Sequence, residues 1–344
     1  TVALDRTLIS NYVPGSTAVS VSFSRLRGVD PGPLVDSLYR YPYGCSEQLT
    51  STAMPLLYLD ALGGEAGRGP EFAVRPRVQE AVNQLLNRQG PDGAFGLWRE
   101  GDSSAQPWLG AYVTDFLYRA KAEGYGVPDD ALEKAYDALA QVARVDRWVY
   151  IGYQMQAYEG PWSNDTTEQL RRRSAAYALY VLARAGRADL SDLRYFHDAL
   201  IDKTSSPLAK AHIGAALAML GDRARALSAF GKAMHAVGYQ NTGDYYQTSL
   251  RDAAGVLALL AEVQNAPGVN EMSEKFVTLM KDPNRMHTQE KAFVLLAAQS
   301  MLRAGGPVSL TRDGNAVEGN SPAPRFNLTR DDLEKGASFA NKGE

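Results

Sequence analysis

Tyr41-Pro42-Tyr43-Gly44-Cys45-Ser46-Glu47-Gln48-Leu49 stands where the first long helical pattern of the chain begins. Pro42 disfavours helix for Tyr41, and Gly44 permits backbone conformations that a Cβ forbids. A helix is therefore expected to open at Cys45 and run through Met54 and Leu57, with a kink at Pro55. Cys45 and Gln48 lie three apart, so in a helical turn their side chains are neighbours, roughly 5–6 Å apart at Cβ. Two readings follow. In the plain one, Gln48 reaches back to cap the first turn, although cysteine is not a favoured N-cap. In the chemical one, the positive end of the helix favours thiolate and the sulfur attacks the carboxamide carbon. Ammonia leaves and an internal thioester remains. Glu47 then shuttles protons or faces solvent. Spacing alone leaves both readings open. Cys45 is also the single cysteine of the chain, so an intramolecular disulfide is impossible. The default for such a residue is a buried, inert thiol.

Outward from this motif the period is helical. From Asp30 to about Gly305, Ala and Leu recur at spacings of three and four. Helices are expected over residues 32–40, 45–62, 74–88, 108–123, 129–144, 167–185, 190–202, 207–220, 223–237, 246–263, 269–281 and 288–304. Stop and start signals separate them, among them Gly90-Pro91-Asp92-Gly93, Val127-Pro128-Asp129, Gly221-Asp222 and Asp282-Pro283-Asn284. Loops this short imply antiparallel neighbours. Periodicity supports a mainly α chain and nothing finer. The two ends differ. Ala18-Val19-Ser20-Val21-Ser22-Phe23 alternates as a half-buried strand does, and Val308-Ser309-Leu310-Thr311 before Asp313-Gly314 reads as a strand and a turn. Residues 1–28 and 306–344 are thus expected to be two β segments of one flanking element, interrupted by a helical domain over 29–305.

Composition narrows the function classes. The chain has 344 residues, 45% hydrophobic and 22% charged, with a net charge of −3, and it shows no dense Lys/Arg stripe for a nucleic-acid partner. No apolar run reaches the length of a membrane span. No His/Asp/Glu cluster has metal-ligand spacing, and no Gly-rich phosphate loop precedes a helix, so neither a metal nor a cofactor is expected. Arg171-Arg172-Arg173 reads as a solvated helix face. His212 and His235 read as satisfied structural histidines. The aromatic run Trp148, Tyr150, Tyr153, Tyr158 and Trp162 reads as packing for a long loop.

The stretch Gly44-Cys45-Ser46-Glu47-Gln48, preceded by Pro42, resembles the Gly-Cys-x-Glu-Gln thioester signature of the α2-macroglobulins and complement thioester proteins. The opening Tyr41-Pro42-Tyr43-Gly44 looks like the bacterial branch in particular. Gln89-Gly90-Pro91-Asp92-Gly93-Ala94-Phe95-Gly96-Leu97-Trp98, followed by Pro107-Trp108-Leu109-Gly110, is similar to the turn and helix that follow that signature. Ser249-Leu250-Arg251-Asp252 and Thr288-Gln289-Glu290-Lys291-Ala292 carry the resemblance toward the C-terminus. It implies an α/α toroid of about six helical hairpins inserted in a CUB-like β-sandwich. It implies a thioester between Cys45 and Gln48 within a larger bacterial protease trap. Cleavage of a bait region elsewhere exposes the bond, and a lysine amine of the target protease takes the Gln48 acyl group. This is single-turnover acyl transfer, with target proteases and the protein's other domains as partners. It implies the periplasm or cell envelope, with an inner-membrane lipid anchor as one form of the full protein. Tyr41, with Tyr43 beside it, takes the position of a tyrosine thought to shield the bond. Complement members that prefer hydroxyls carry a histidine between the turn and the next helix. Residues Leu97 to Trp108 contain none, so amines are the expected nucleophiles.

Two other classes stay in view. Gln89 to Trp98 also resembles the Gln-Trp repeat of terpene cyclases, on the same architecture, and a toroid glycosidase would need paired carboxylates in a central cleft. A binding module whose thioester never forms is the third reading.

Overall fold

The computed structural model describes residues 1–13, 19–23, 28–42, 44–62, 73–102, 107–144, 164–238, 246–305, 309–317 and 324–342. Tyr43 and the aromatic run from Trp148 to Trp162 lie outside these, as do Ala18 and Val308 of the two expected strands.

The helices are α1 (Pro31–Tyr39), α2 (Ser46–Ala53), α3 (Val74–Leu86), α4 (Pro107–Ala122), α5 (Asp129–Ala143), α6 (Asn164–Arg184), α7 (Leu190–Tyr195), α8 (Pro207–Met219), α9 (Arg223–Ala236), α10 (Ser249–Ala261), α11 (Val269–Thr278) and α12 (Thr288–Gly305), with a short α13 (Arg330–Lys335) near the C-terminus. Local chemistry sets their starts. Pro occupies the first turn of α1 and α8, where no N–H is missed. Ser206 and Thr248 cap α8 and α10 through their hydroxyls. The expected helix over 45–62 divides where Pro55 stands. α2 ends at Ala53, and a tighter 3₁₀ stretch runs from Pro55 to Leu62 with a break at Tyr58. The expected helix over 190–202 begins as α7 and then loosens into a π-turn at Phe196–Leu200.

Two kinds of helix alternate. α4, α8 and α10 are buried almost all round, whereas α5 and α11 bury one stripe and expose the rest. A helix that is apolar on every side has to be surrounded. Here α2, α4, α6, α8, α10 and α12 each pack on the next, and α12 packs back on α2, which closes a ring. The intervening helices lie outside it: α3 touches α2 and α4, α5 touches α4 and α6, and α9 touches α8 and α10. This is the α/α toroid. Its axis is filled. Tyr177 stacks on His212 at 4.1 Å between ring centroids, and Asp115 pairs with Arg119 at 2.8 Å, both fully buried. A small cavity of about 20 Å³ lies beside them.

The outer β segments come from both chain ends. β1 (Val2–Leu4) pairs antiparallel with β6 (Ala337–Asn341), which pairs with β3 (Leu310–Arg312) and so with β4 (Asn315–Ala316). β2 (Val19–Ser22) pairs antiparallel with β5 (Arg325–Leu328), Val19 opposite Leu328. Leu328, Leu333, Ala337 and Phe339 form a small core of their own, apart from the toroid. Among the described residues, no helix is long and apolar enough to cross a membrane.

Candidate functional site

The inner helices of the ring all run the same way, because each is separated from the next by one returning outer helix. Their N-termini therefore gather at one rim, and long-range contacts between those N-termini mark it. Glu47 of α2 meets Thr288 of α12, Arg251 of α10 meets Gln289 of α12, and Trp108 of α4 stacks on Tyr246 just before α10. Cys45 lies on this rim as the N-cap of α2.

Cys45 and Gln48 form a reciprocal pair. The Cys45 thiol faces the backbone N–H groups of Gln48 and Glu47, while Gln48 Oε1 accepts from the Cys45 backbone N–H at 3.3 Å. A thiol thus does serve as one half of a capping box, against the ordinary preference for hydroxyl or carboxylate. The consequence is chemical as well as structural: sulfur and carboxamide are both held over the same helical turn. The expected thiolate is not what the site favours. Burial pushes the Cys45 thiol above its ordinary range, and the neighbouring carboxylate of Glu47 adds to this against the opposing pull of the N–H groups and Arg88.

A platform holds the turn in place. The chain from Arg88 to Leu97 folds back on itself, with Gly96 N–H donating to the Arg88 carbonyl. It then meets α2: Ser46 N–H donates to the Leu97 carbonyl at 2.8 Å, and Ser46 Oγ donates to the Gly96 carbonyl at 2.6 Å. Arg88 fastens the joint, donating to the Gly44 carbonyl at 2.7 Å and to both Ser46 Oγ and the Leu97 carbonyl at 3.2 Å. The similarity seen in Gln89 to Trp98 is therefore the support of the Cys45 turn. Arg88 itself was missed in the sequence, where a basic residue at a helix C-terminus looks like an ordinary dipole partner.

Glu47 points into the ring instead of toward solvent. It is 4% exposed, and its Oε1 accepts from Ser51 Oγ at 2.6 Å and from Thr288 Oγ1 at 3.5 Å. Burial pushes its carboxyl above the usual carboxylate range, against the pull of these hydrogen bonds and of Arg251. Ser51 Oγ and the buried Tyr112 hydroxyl lie 2.9 Å apart and continue the chain. Tyr41, half-buried, comes to the other face of the motif: Gln48 Nε2 donates to its hydroxyl at 3.2 Å. Pro42 is exposed and Gly44 half-buried on the same approach.

Other expectations shift. Arg173 is 5% exposed, with its guanidinium 5.5 Å over the Trp108 ring, so the arginine run is not wholly a solvated face. The reason is that α6 belongs to the inner ring. His212 is a core residue as expected, though its Nδ1 has no protein partner, and burial presses its pKa down to about 3. His235 is exposed. His287 is far from the motif in sequence, yet its neighbour Thr288 reaches Glu47 once the ring closes. No group of three or more His, Cys, Asp or Glu among the described residues could hold a metal ion.

The profile of the A-macroglobulin TED domain matches residues 25–146. An α2-macroglobulin of Xylella fastidiosa (strain Temecula1) is 31% identical over 265 residues, which cover 75% of this chain and 15% of that protein. The chain belongs to the α2-macroglobulin family. Among solved structures, native α2-macroglobulin from Escherichia coli aligns with a TM-score of 0.73 and 28% identity, over 99% of this chain and 53% of that one. Salmonella α2-macroglobulin reacted with methylamine aligns with a TM-score of 0.74 and 27% identity, over 99% of this chain and 22% of that one. The chain thus spans about a sixth of the length of the curated α2-macroglobulins it matches, at 15% to 17%.

Proposed function

We propose that Cys45 and Gln48 form an internal thioester, and that the larger protein uses it to trap proteases covalently. The reciprocal placement of the Cys45 thiol and the Gln48 carboxamide over one helical turn carries this reading. The Sγ–Cδ bond forms, the Cδ–Nε2 bond breaks, and ammonia leaves. Once exposed, the thioester yields its acyl group to a lysine amine. An amide joins Gln48 to the target, and Cys45 is released as a thiol. The relative whose structure was solved after reaction with methylamine supports a target for amines at this site. Cleavage of the bait region elsewhere in the protein would trigger exposure. The terminal strands would belong to a flanking CUB-like domain, and the whole would act in the cell envelope. No cofactor enters the scheme, and turnover is single. The toroid-enzyme reading fares worse, because it leaves the reciprocal Cys45–Gln48 pair without a role.

Intact mass before and after methylamine, with thiol alkylation alongside, tests the bond. The expected result is a mass one ammonia below the sequence, an unalkylated thiol, and after methylamine one methylamide at Gln48 with Cys45 open to alkylation. A full sequence mass with an alkylatable thiol in the natural, undamaged protein would sink the proposal. With glycerol and methylamine in competition, amide adducts should dominate, since residues Leu97 to Trp108 contain no histidine.

A further inference from the structure

We propose that the Tyr41 hydroxyl is the proton-transfer group for the nitrogen at Gln48, both when ammonia leaves and when an amine attacks; the inference rests on the thioester reading above.

The orientation of the Gln48 amide is fixed by chemistry. The Cys45 backbone N–H can only donate, so the atom 3.3 Å from it is the carbonyl oxygen. The nitrogen is then the atom 3.2 Å from the Tyr41 hydroxyl. That nitrogen is the leaving group. In the planar carboxamide its lone pair is delocalised, so it donates to Tyr41. When Sγ attacks Cδ, the nitrogen becomes pyramidal and its lone pair localises. The same hydrogen bond can then reverse, and Tyr41 O–H donates to Nε2. This matters because an amide ion is a very poor leaving group, whereas ammonia leaves readily.

The balance closes without any co-reactant. Tyr41 gives a proton to Nε2, and the proton lost by the Cys45 thiol restores the phenol. Thiol and carboxamide become thioester and ammonia. Attack by an amine runs the same path backwards. The incoming nitrogen occupies the place that Nε2 left and gives a proton to Tyr41, Tyr41 yields its own proton to Sγ, and the Sγ–Cδ bond breaks to leave a thiol. Other groups near the motif are engaged elsewhere. Glu47 is turned into the ring by Ser51 and Thr288, and Arg88 is held by Gly44 and Leu97. The buried thiol is held neutral, so its proton has to be moved during attack.

Shielding and proton transfer by Tyr41 predict opposite signs in a test on the natural polypeptide that carries this chain. Tyr41→Phe keeps the ring and removes the hydroxyl. Two rates are measured: the loss of alkylatable thiol in newly synthesised protein, and methylamine uptake by mature protein. The expected result is that both fall by about tenfold or more, and by a similar factor, because a catalyst speeds a step and its reverse alike. Tyr41→Ala separates the ring from the hydroxyl: it should also slow thioester formation, while opening the bond to water. Tyr41→Phe matching wild type in both rates, or taking up methylamine faster, would overturn the proposal. A wild-type protein with a free thiol and no methylamine uptake would instead overturn the thioester reading beneath it.

Discussion

At the scale of single residues, the motif depends on groups that are not in it. Arg88 spans three acceptors, on Gly44, Ser46 and Leu97, that no other described side chain joins in this way. Its planar fork can reach them together, and a lysine cannot. Arg88→Met should cost about 2 kcal/mol, because it withdraws a charged donor from partly buried acceptors. Urea unfolding midpoints measure this, and Arg88→Lys should fall between the two. An unchanged midpoint for Arg88→Met would mean that the joint is held by Ser46 alone. At Cys45 the N–H groups that favour thiolate are local and legible, whereas the burial that outweighs them arises only in the folded chain.

At the scale of elements, the turn from Gly90 to Gly93 sets the platform. Gly93 has φ +80°, and a Cβ there would lie 2.0 Å from the Lys134 carbonyl on α5. Both the left-handed backbone and the close approach require glycine. Gly93→Ala should destabilise the domain by about 3 kcal/mol, combining backbone strain with overpacking. It should also loosen the Ser46–Leu97 contact, read as faster amide exchange at Ser46. Protection at Ser46 equal to wild type would show that the platform tolerates the shift. The elements were largely legible in the sequence. Pro55 announced the end of α2, and Thr248 placed the start of α10 at Ser249, three residues later than periodicity alone suggested. What periodicity could not show was which helices are inner, because α6 and α9 look similarly mixed until neighbours cover them.

At the scale of the whole molecule, the ring axis carries a pH dependence. Burial holds His212 neutral, with its pKa pressed down from 6.5 to about 3. In the unfolded chain it takes up a proton near pH 6.5, in the folded chain only near 3. Its contribution to stability is therefore full above pH 6.5 and is lost as pH falls toward 3. The loss is about 1.4 kcal/mol per pH unit, or about 2 kcal/mol by pH 5. Glu47 titrates with the opposite sign, since burial raises its carboxyl. The comparison that isolates the histidine is His212→Phe against wild type. The variant keeps a ring against Tyr177, and its stability should fall less steeply between pH 6.5 and 4 in urea melts. Parallel curves would place the acid sensitivity elsewhere.

The sequence by itself determined the mainly helical content, most helix starts and stops, the paired β ends and the position of the Cys45–Gln48 motif. These follow from short-range rules: side-chain period, proline and glycine punctuation, and capping. The tertiary structure alone decided that α12 closes on α2, that Glu47 turns inward to Thr288, that Arg88 clasps the motif and that Arg173 is buried over Trp108. Each of these joins residues distant in the chain. Burial and electrostatics are sums over such neighbours, and the order of residues does not disclose those sums until the ring is closed.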